Sequence, residues 1–182
     1  MIKRFLETGR VVSTQGLKGE VRVTPWCDSP DFLTQFDGLY LRTAAQGPAP
    51  AGADTPPGAL TAVESARVHK TLALIKFAGV DDIDAAMPLV GAVLYIDRGW
   101  VRLPAGSYFE QDLLGLEAVD AQTGLHYGKV CEVSRTGAND VYHIRSGGRV
   151  TLIPAIRDVV RSIEPENGVM RITPLPGLFD ED

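Results

Sequence analysis

Apolar positions along this chain alternate with polar ones rather than recurring every third or fourth residue. In "EVRVTPW", Val21 and Val23 share one face, against Glu20, Arg22 and Thr24. In "TLALIKF", Leu72, Leu74 and Lys76 oppose Ala73, Ile75 and Phe77. "GLYLR", "LTAVESARVH" and "AVLYID" are further strand candidates. A period of two, punctuated by Gly and Pro, predicts short antiparallel strands closing into a small barrel. Two helical turns interrupt the pattern. "SPDFLTQF" offers Ser29 as N-cap, Pro30 at the first helical position and Asp31 in the first turn, and its Phe32 and Phe36 are expected to plug one end of the barrel. "DDIDAAM" has Asp81 or Asp82 as cap, with Pro88 expected to stop it.

Residues 43–60, "TAAQGPAPAGADTPPGAL", carry almost no bulky apolar side chain and are expected to form an expanded, mobile loop between two strands. A domain boundary is expected in "RGWVRLPAGSY", giving a first module over 1–98 and a linker over 99–106. Alternation then resumes. "GLEAVDAQTGLHYGKVCEV" predicts two strands about a Thr-Gly turn, and "DVYHIRSGGRVTLIP" a hairpin about Gly147-Gly148. "DVVRSI", "PENG" and "VMRITPL" predict another hairpin about Asn167-Gly168. The expected fold class is all-β: two small β-barrels in tandem with short helices, the second over 107–177, and an acidic tail over 178–182.

The opening "STQGLKGEVRV" has the glycines and lysine of a phosphate-binding loop but not their spacing. A Walker loop has four residues between its glycines and leads into a helix. Here two residues separate Gly16 from Gly19, and a strand follows. The glycines are read as supplying positive φ in a tight turn. Cys27 and Cys131 are too far apart for a zinc knuckle or a disulfide framework, and are read as reduced thiols. No apolar run nears the length of a membrane span or a signal peptide, so the expected location is the cytoplasm. GxSxG and HExxH are absent, and the histidines (His69, His126, His143) have no partner suggested by spacing. No enzyme activity, cofactor or metal is expected, and the chain is read as a monomer.

What remains is surface. The net charge is −5, unlike that of a protein gripping nucleic acid by its overall charge. Residues 1–98 hold 10 basic and 11 acidic side chains (net −1), and 99–182 hold 8 and 12 (net −4). Lys3, Arg4, Arg10, Lys18 and Arg22 crowd the first 22 positions, while Arg135, Arg145, Arg149, Arg157 and Arg161 decorate the second module. Tyr108 and Phe109 follow the linker. As neighbours in a strand they would point to opposite faces, one buried and one presented.

"GRVVSTQGLKGEVRV", "DSPDFL", "SYFEQDLLGLEAVD", "GKVCEVSRTGANDVYHI", "LIPAIRDVVRSI" and "PGLFDED", in that order, resemble the RimM family of ribosome maturation factors over about residues 5–180, apart from 43–60. The resemblance implies a translation-factor-like six-stranded barrel followed by a PRC-barrel. It implies an assembly chaperone that binds the immature small ribosomal subunit, assists maturation of its head and supports 16S rRNA processing. The family's partner in that head is small-subunit ribosomal protein nineteen. Its aromatic pair falls on Tyr108 and Phe109, where Tyr-Tyr is commoner, and the aromatic often following is Glu110. The expected partner-binding residues are Tyr108, Phe109, Asp112, Arg145 and Arg149, and the residues expected near rRNA are Arg10, Lys18 and Arg22. Two alternatives stay open: a protein-binding scaffold unrelated to the ribosome, and a barrel enzyme using His143 or Asp140.

Overall fold

The structure is a computed structural model that describes residues 2–27, 29–48 and 54–179. The centre of the Pro/Ala-rich loop (49–53) and the acidic end of the tail (180–182) lie outside the described residues. The chain divides into two compact units, one spanning Lys3–Arg102 and the other formed mainly by residues from Leu103 onward.

The first unit holds β1 (Phe5–Gln15), β2 (Glu20–Pro25), β3 (Gly38–Arg42), β4 (Ala59–His69), β5 (Leu72–Phe77) and β6 (Val93–Asp97). They close into a barrel in the order β1-β2-β5-β4-β3-β6, every pair antiparallel. Val11, Val21, Val23, Ile75 and Phe77 are buried, as the alternation requires. Leu74 departs from it. Its ladder partners are Arg22 and Arg67, and it is as buried as the inward residues beside it. Long arginine stems on the same outer face shelter an apolar neighbour in this way. Register shifts at Val11/Ser13, Glu7/Gly9 and Val63/Ser65 supply the bends a six-stranded ring needs.

The turn at 30–35 is a 3-10 helix, Pro30–Gln35, with Ser29 Oγ accepting from the Asp31 N–H at 3.2 Å. Leu33, fully buried, is its core residue, so the expected plug of Phe32 and Phe36 is corrected. Those two rings are only half-buried, because a tight 3-10 turn aims its middle residue at the core and leaves the flanking rings at the surface. Asp82 caps α1 (Ile83–Ala86), its Oδ1 accepting from the Ala85 N–H at 2.8 Å. Pro88 does not end the structure there. It lies in the first turn of a following 3-10 helix, Met87–Leu89, where its missing N–H costs nothing.

Gly16 (φ 62°) and Gly19 (φ 79°) form the β1–β2 turn. At Gly19 a Cβ would lie 1.9 Å from the Val80 carbonyl oxygen, whereas at Gly16 it would meet nothing within 4 Å. The motif is thus a turn packed against the segment that leads into α1. The 43–60 loop does join two strands, β3 and β4, and its described ends are tied down. The Arg42 guanidinium donates to the backbone oxygens of Gly47 at 2.9 Å and Gln46 at 2.6 Å, and to those of Pro48 and Pro57. Gly58 closes the loop against Leu41, whose carbonyl oxygen would lie 1.9 Å from any Cβ there.

The second unit holds α2 (Glu110–Leu113), β7 (Glu117–Asp120), β8 (His126–Arg135), β9 (Asp140–Ser146), β10 (Arg149–Pro154), β11 (Val160–Glu164) and β12 (Val169–Ile172). They form a six-stranded sheet in the order β10-β9-β8-β7-β12-β11. All expected hairpins are present, but β12 joins β7 in parallel. Hairpins make antiparallel neighbours, whereas this pair brings the last hairpin back beside the first strand of the unit. Leu113, Tyr142, Ile144, Ile153, Val159 and Met170 meet in one core, so the sheet is curled around it. Leu178 and Phe179 pack against that core, and Phe179 stacks on Tyr127 at 4.3 Å between centroids.

Replacing the two turn glycines separates strain from steric clash. Gly16→Ala is expected to cost about 1 kcal/mol, for the left-handed backbone alone. Gly19→Ala adds a clash with backbone and is expected to cost about 3 kcal/mol or more, measured by urea unfolding. Arg42→Met is expected to speed limited proteolysis within 43–58 severalfold, since it removes the donor that ties both ends of the loop.

Candidate functional site

Tyr108 and Phe109 are not in a strand. They precede α2, with Phe109 at its N-cap position. The expected strand is absent, and neither ring is fully buried, because the pair opens a helical turn whose side chains do not alternate between two faces. Tyr108 is 37 % exposed and its hydroxyl donates to the Ile163 carbonyl oxygen on β11 at 3.4 Å, while Phe109 is half-buried. Tyr108 also lies close enough to Tyr142 to act on its ionisation. Burial first, then the Asp140 carboxylate and Tyr108, push the Tyr142 phenol up. Asp112 is half-buried one turn further along α2, its N–H bonded to the Phe109 carbonyl at 2.9 Å.

Arg145 and Arg149 belong to the β9–β10 hairpin and are both exposed. Arg145 pairs with Val150 and Arg149 with Ser146, so the two arginines stand on opposite faces of the ribbon. Arg145 shares the outer face of β9 with His143, opposite to buried Tyr142 and Ile144. The five residues expected to form one partner site thus divide into an aromatic corner at α2 and a hairpin with an arginine on each side.

In the first unit, Arg10 and Arg22 point outward from neighbouring strands, with Arg10 opposite Thr24 and Arg22 opposite Ser13. Lys18 is at the tip of the same β1–β2 ribbon, in the Gly16–Gly19 turn. The structure does bring these three onto one ribbon, together with exposed Val12, Leu17 and Trp26. Arg22 is held by Gln15, its Nε donating to Oε1 at 2.6 Å. One acid of the ribbon, Glu20, is engaged by Arg67 at 2.9 Å.

His143 has neighbours that spacing did not suggest. Its Nε2 lies 2.6 Å from Ser134 Oγ on β8, and its Nδ1 lies 3.7 Å from Glu132 Oε2. This is the outline of a Ser-His-acid triad on a sheet face. The acid stands beyond hydrogen-bond reach of Nδ1. The trio reads as a polar cluster on the β8–β9 face. Among the described residues no group of three His, Cys, Asp or Glu side chains is placed to hold a metal, and no helix is long and apolar enough to cross a membrane. Cys27 and Cys131 are half-buried thiols in no disulfide, and Cys27 Sγ donates to the Ser29 carbonyl oxygen at 3.4 Å.

Sequence reasoning missed a run of aromatic rings on the first unit. Phe5 meets Tyr40 edge-on at 5.0 Å, Tyr40 stacks on Trp100 at 5.6 Å and 13°, Phe36 lies 6.2 Å from Trp100, and Phe32 meets Phe36 at 5.2 Å. Trp100 follows β6 in a 3-10 turn, Arg98–Trp100, capped by Asp97. The rings come from four separate stretches of chain, so no local spacing could reveal them.

The candidate residues lie on open faces of an all-β protein with a closed six-stranded barrel and a second, curled sheet. The RimM N-terminal domain family model matches residues 6–101. The ribosome maturation factor RimM of Desulforamulus reducens is 35 % identical over 98 % of this chain and 100 % of its own length. That of Caldicellulosiruptor bescii is 34 % identical over 97 % of this chain and 99 % of its own. A crystal structure of a 16S ribosomal RNA processing protein RimM from Pseudomonas aeruginosa is 26 % identical, covers 92 % of this chain and 96 % of its own, and superposes with a TM-score of 0.45. This chain belongs to the RimM family.

Asp120 gives a pH test of the second unit. Its carboxylate accepts from the N–H groups of Thr123 at 2.7 Å and Gln122 at 2.9 Å, and from the Tyr127 hydroxyl at 2.9 Å. These bonds hold it down at about 2, against an ordinary 3.8. A depressed carboxylate contributes stability above its unfolded pKa and loses it as pH falls through the folded value. The thermal midpoint of Asp120→Asn is therefore expected below wild type at neutral pH, with the gap closing as pH falls from about 4 to about 2. Thermal melts across that range check it.

Proposed function

We propose that this protein is a ribosome maturation factor that acts by binding and not by chemistry of its own. It binds the immature small ribosomal subunit, assists maturation of its head and supports 16S rRNA processing. The observation that carries this is the relationship to ribosome maturation factors along the whole chain, both units included. The site geometry supports it, because six of the eight candidate residues, all but Phe109 and Asp112, are exposed side chains suited to large partners.

In this reading the second unit contacts small-subunit ribosomal protein nineteen. Tyr108, Phe109 and Asp112 form one contact corner, and Arg145 and Arg149, on opposite faces of the β9–β10 hairpin, supply further contacts. Ribosomal proteins are basic, and the excess of acids over 99–182 (12 against 8) favours encounter with one. The β1–β2 ribbon, with Arg10, Lys18 and Arg22, lies near rRNA phosphates. Binding stabilises one arrangement of the head and so shifts its population. The protein works in the cytoplasm as a monomer.

Co-sedimentation with immature small subunits tests the proposal, with wild type compared to Tyr108→Ala/Phe109→Ala. The double variant is expected to melt within a few degrees of wild type and to lose at least about tenfold in subunit binding, as removal of two central aromatic contacts does. Failure of the wild type itself to travel with any small subunit would overturn the reading.

A further inference from the structure

The first unit carries a surface that the ribbon of Arg10, Lys18 and Arg22 does not include. Trp100 is 44 % exposed, yet it is a well-supported ring. Tyr40 lies nearly parallel to it at 13°, Phe36 leans against it, and Phe5 and Phe32 brace those two in turn. Its backbone is fixed as well. The buried Asp97 carboxylate accepts from the Gly99 N–H at 2.9 Å and from Arg4 Nε at 2.7 Å. The Arg98 N–H bonds the Arg4 carbonyl at 2.8 Å, and its guanidinium donates to the Lys3 carbonyl at 2.9 Å. Basic residues are thus part of the chain that sets the indole. Lys3, Arg4 and Arg98 are tied to the same clasp, and exposed Arg102 follows two residues after Trp100. Of the acids acting on Arg4, Asp97 is consumed by it, and Asp54 acts only through charge.

We infer that this face is a seat for single-stranded RNA, in which an unpaired base stacks on Trp100 and the basic side chains of Lys3, Arg98 and Arg102 hold the flanking phosphates. A stacked Tyr40–Trp100 pair whose indole is 44 % exposed accepts one more flat ring at little entropic cost, since the seat is already ordered. Aromatic platforms set among cations are how single strands are held without regard to sequence. A net-acidic protein needs such a local positive field to approach phosphates at all. The inference rests on the ribosomal reading and specifies where unpaired rRNA would be held.

The test is fluorescence anisotropy with a fluorescein-labelled octaadenylate, on the full chain at low and moderate salt. Trp100→Ala is expected to weaken binding about tenfold, in the range typical of one lost base stack. Trp100→Phe, which keeps a ring, is expected to recover most of the affinity. Lys3→Glu/Arg102→Glu is expected to weaken binding and flatten its salt dependence, and Met87→Ala, an exposed residue in neither surface, to leave it unchanged. Thermal midpoints accompany each variant. If Trp100→Ala unfolds, Trp100→Phe and the charge pair carry the test. Wild-type affinity in both the tryptophan and the charge variants would overturn the seat, as would a loss of binding in Met87→Ala alone. Failure of the wild type to bind the oligonucleotide while still travelling with small subunits would overturn the seat and leave the ribosomal reading intact. Loss of subunit binding by the wild type would overturn the ribosomal reading itself.

Discussion

Closure of the first barrel depends on β1 serving two partners. One stretch of it pairs with β6 and another with β2, with only Gly9 and Arg10 in both ladders. A straight strand cannot turn a six-membered ring through both pairings, and the two shifts, at Glu7/Gly9 and Val11/Ser13, give the bend. Gly9 is where the strand comes nearest its neighbours: a Cβ there would meet the Thr24 carbonyl oxygen at 2.7 Å and a Val23 methyl at 2.9 Å. The interior therefore closes around Val11, Val23 and Leu33 only because one position of the seam has no side chain.

The clasp at the start of the same seam shows how a charge is held in such a fold. Burial alone would raise the Asp97 pKa. The Gly99 N–H and the Arg4 guanidinium outweigh it and hold the carboxyl below its ordinary range. A paired and hydrogen-bonded carboxylate fixes direction more than it adds stability. Here it fixes the chain as it leaves β6, so that Trp100 returns to Tyr40 and Phe36. Surface chemistry on this unit is thereby set by the register of β1 against β6.

The second unit solves a different problem. Its sheet runs between two edge strands, β10 and β11, and is curled around a core that includes Val159 from the segment joining them. Its turns are held by side chains: Asp120 gathers the N–H groups of the β7–β8 turn, and Tyr127 links that turn to Phe179 by stacking. The aromatic corner at Tyr108 borrows its support from β11 through Ile163 and from the neighbourhood of Tyr142. A packed corner of this kind presents a ring at a fixed angle, which a flexible linker residue could not do.

By itself the sequence determined the strands, the hairpin turns and the basic ribbon, because each is a local matter. A period of two sets which face is buried, and a glycine with positive φ marks its own turn. The pairing of Arg10, Lys18 and Arg22 on one ribbon was legible for the same reason: a hairpin places residues by counting. Only the tertiary structure decided that Leu33 and not Phe32 or Phe36 fills the core, and that β12 runs parallel to β7. It also decided that Phe5, Phe32, Phe36, Tyr40 and Trp100 join in one run of ring contacts. These outcomes depend on contacts between residues far apart in the chain. Their energies come from closure and packing around a shared core, which no local pattern encodes.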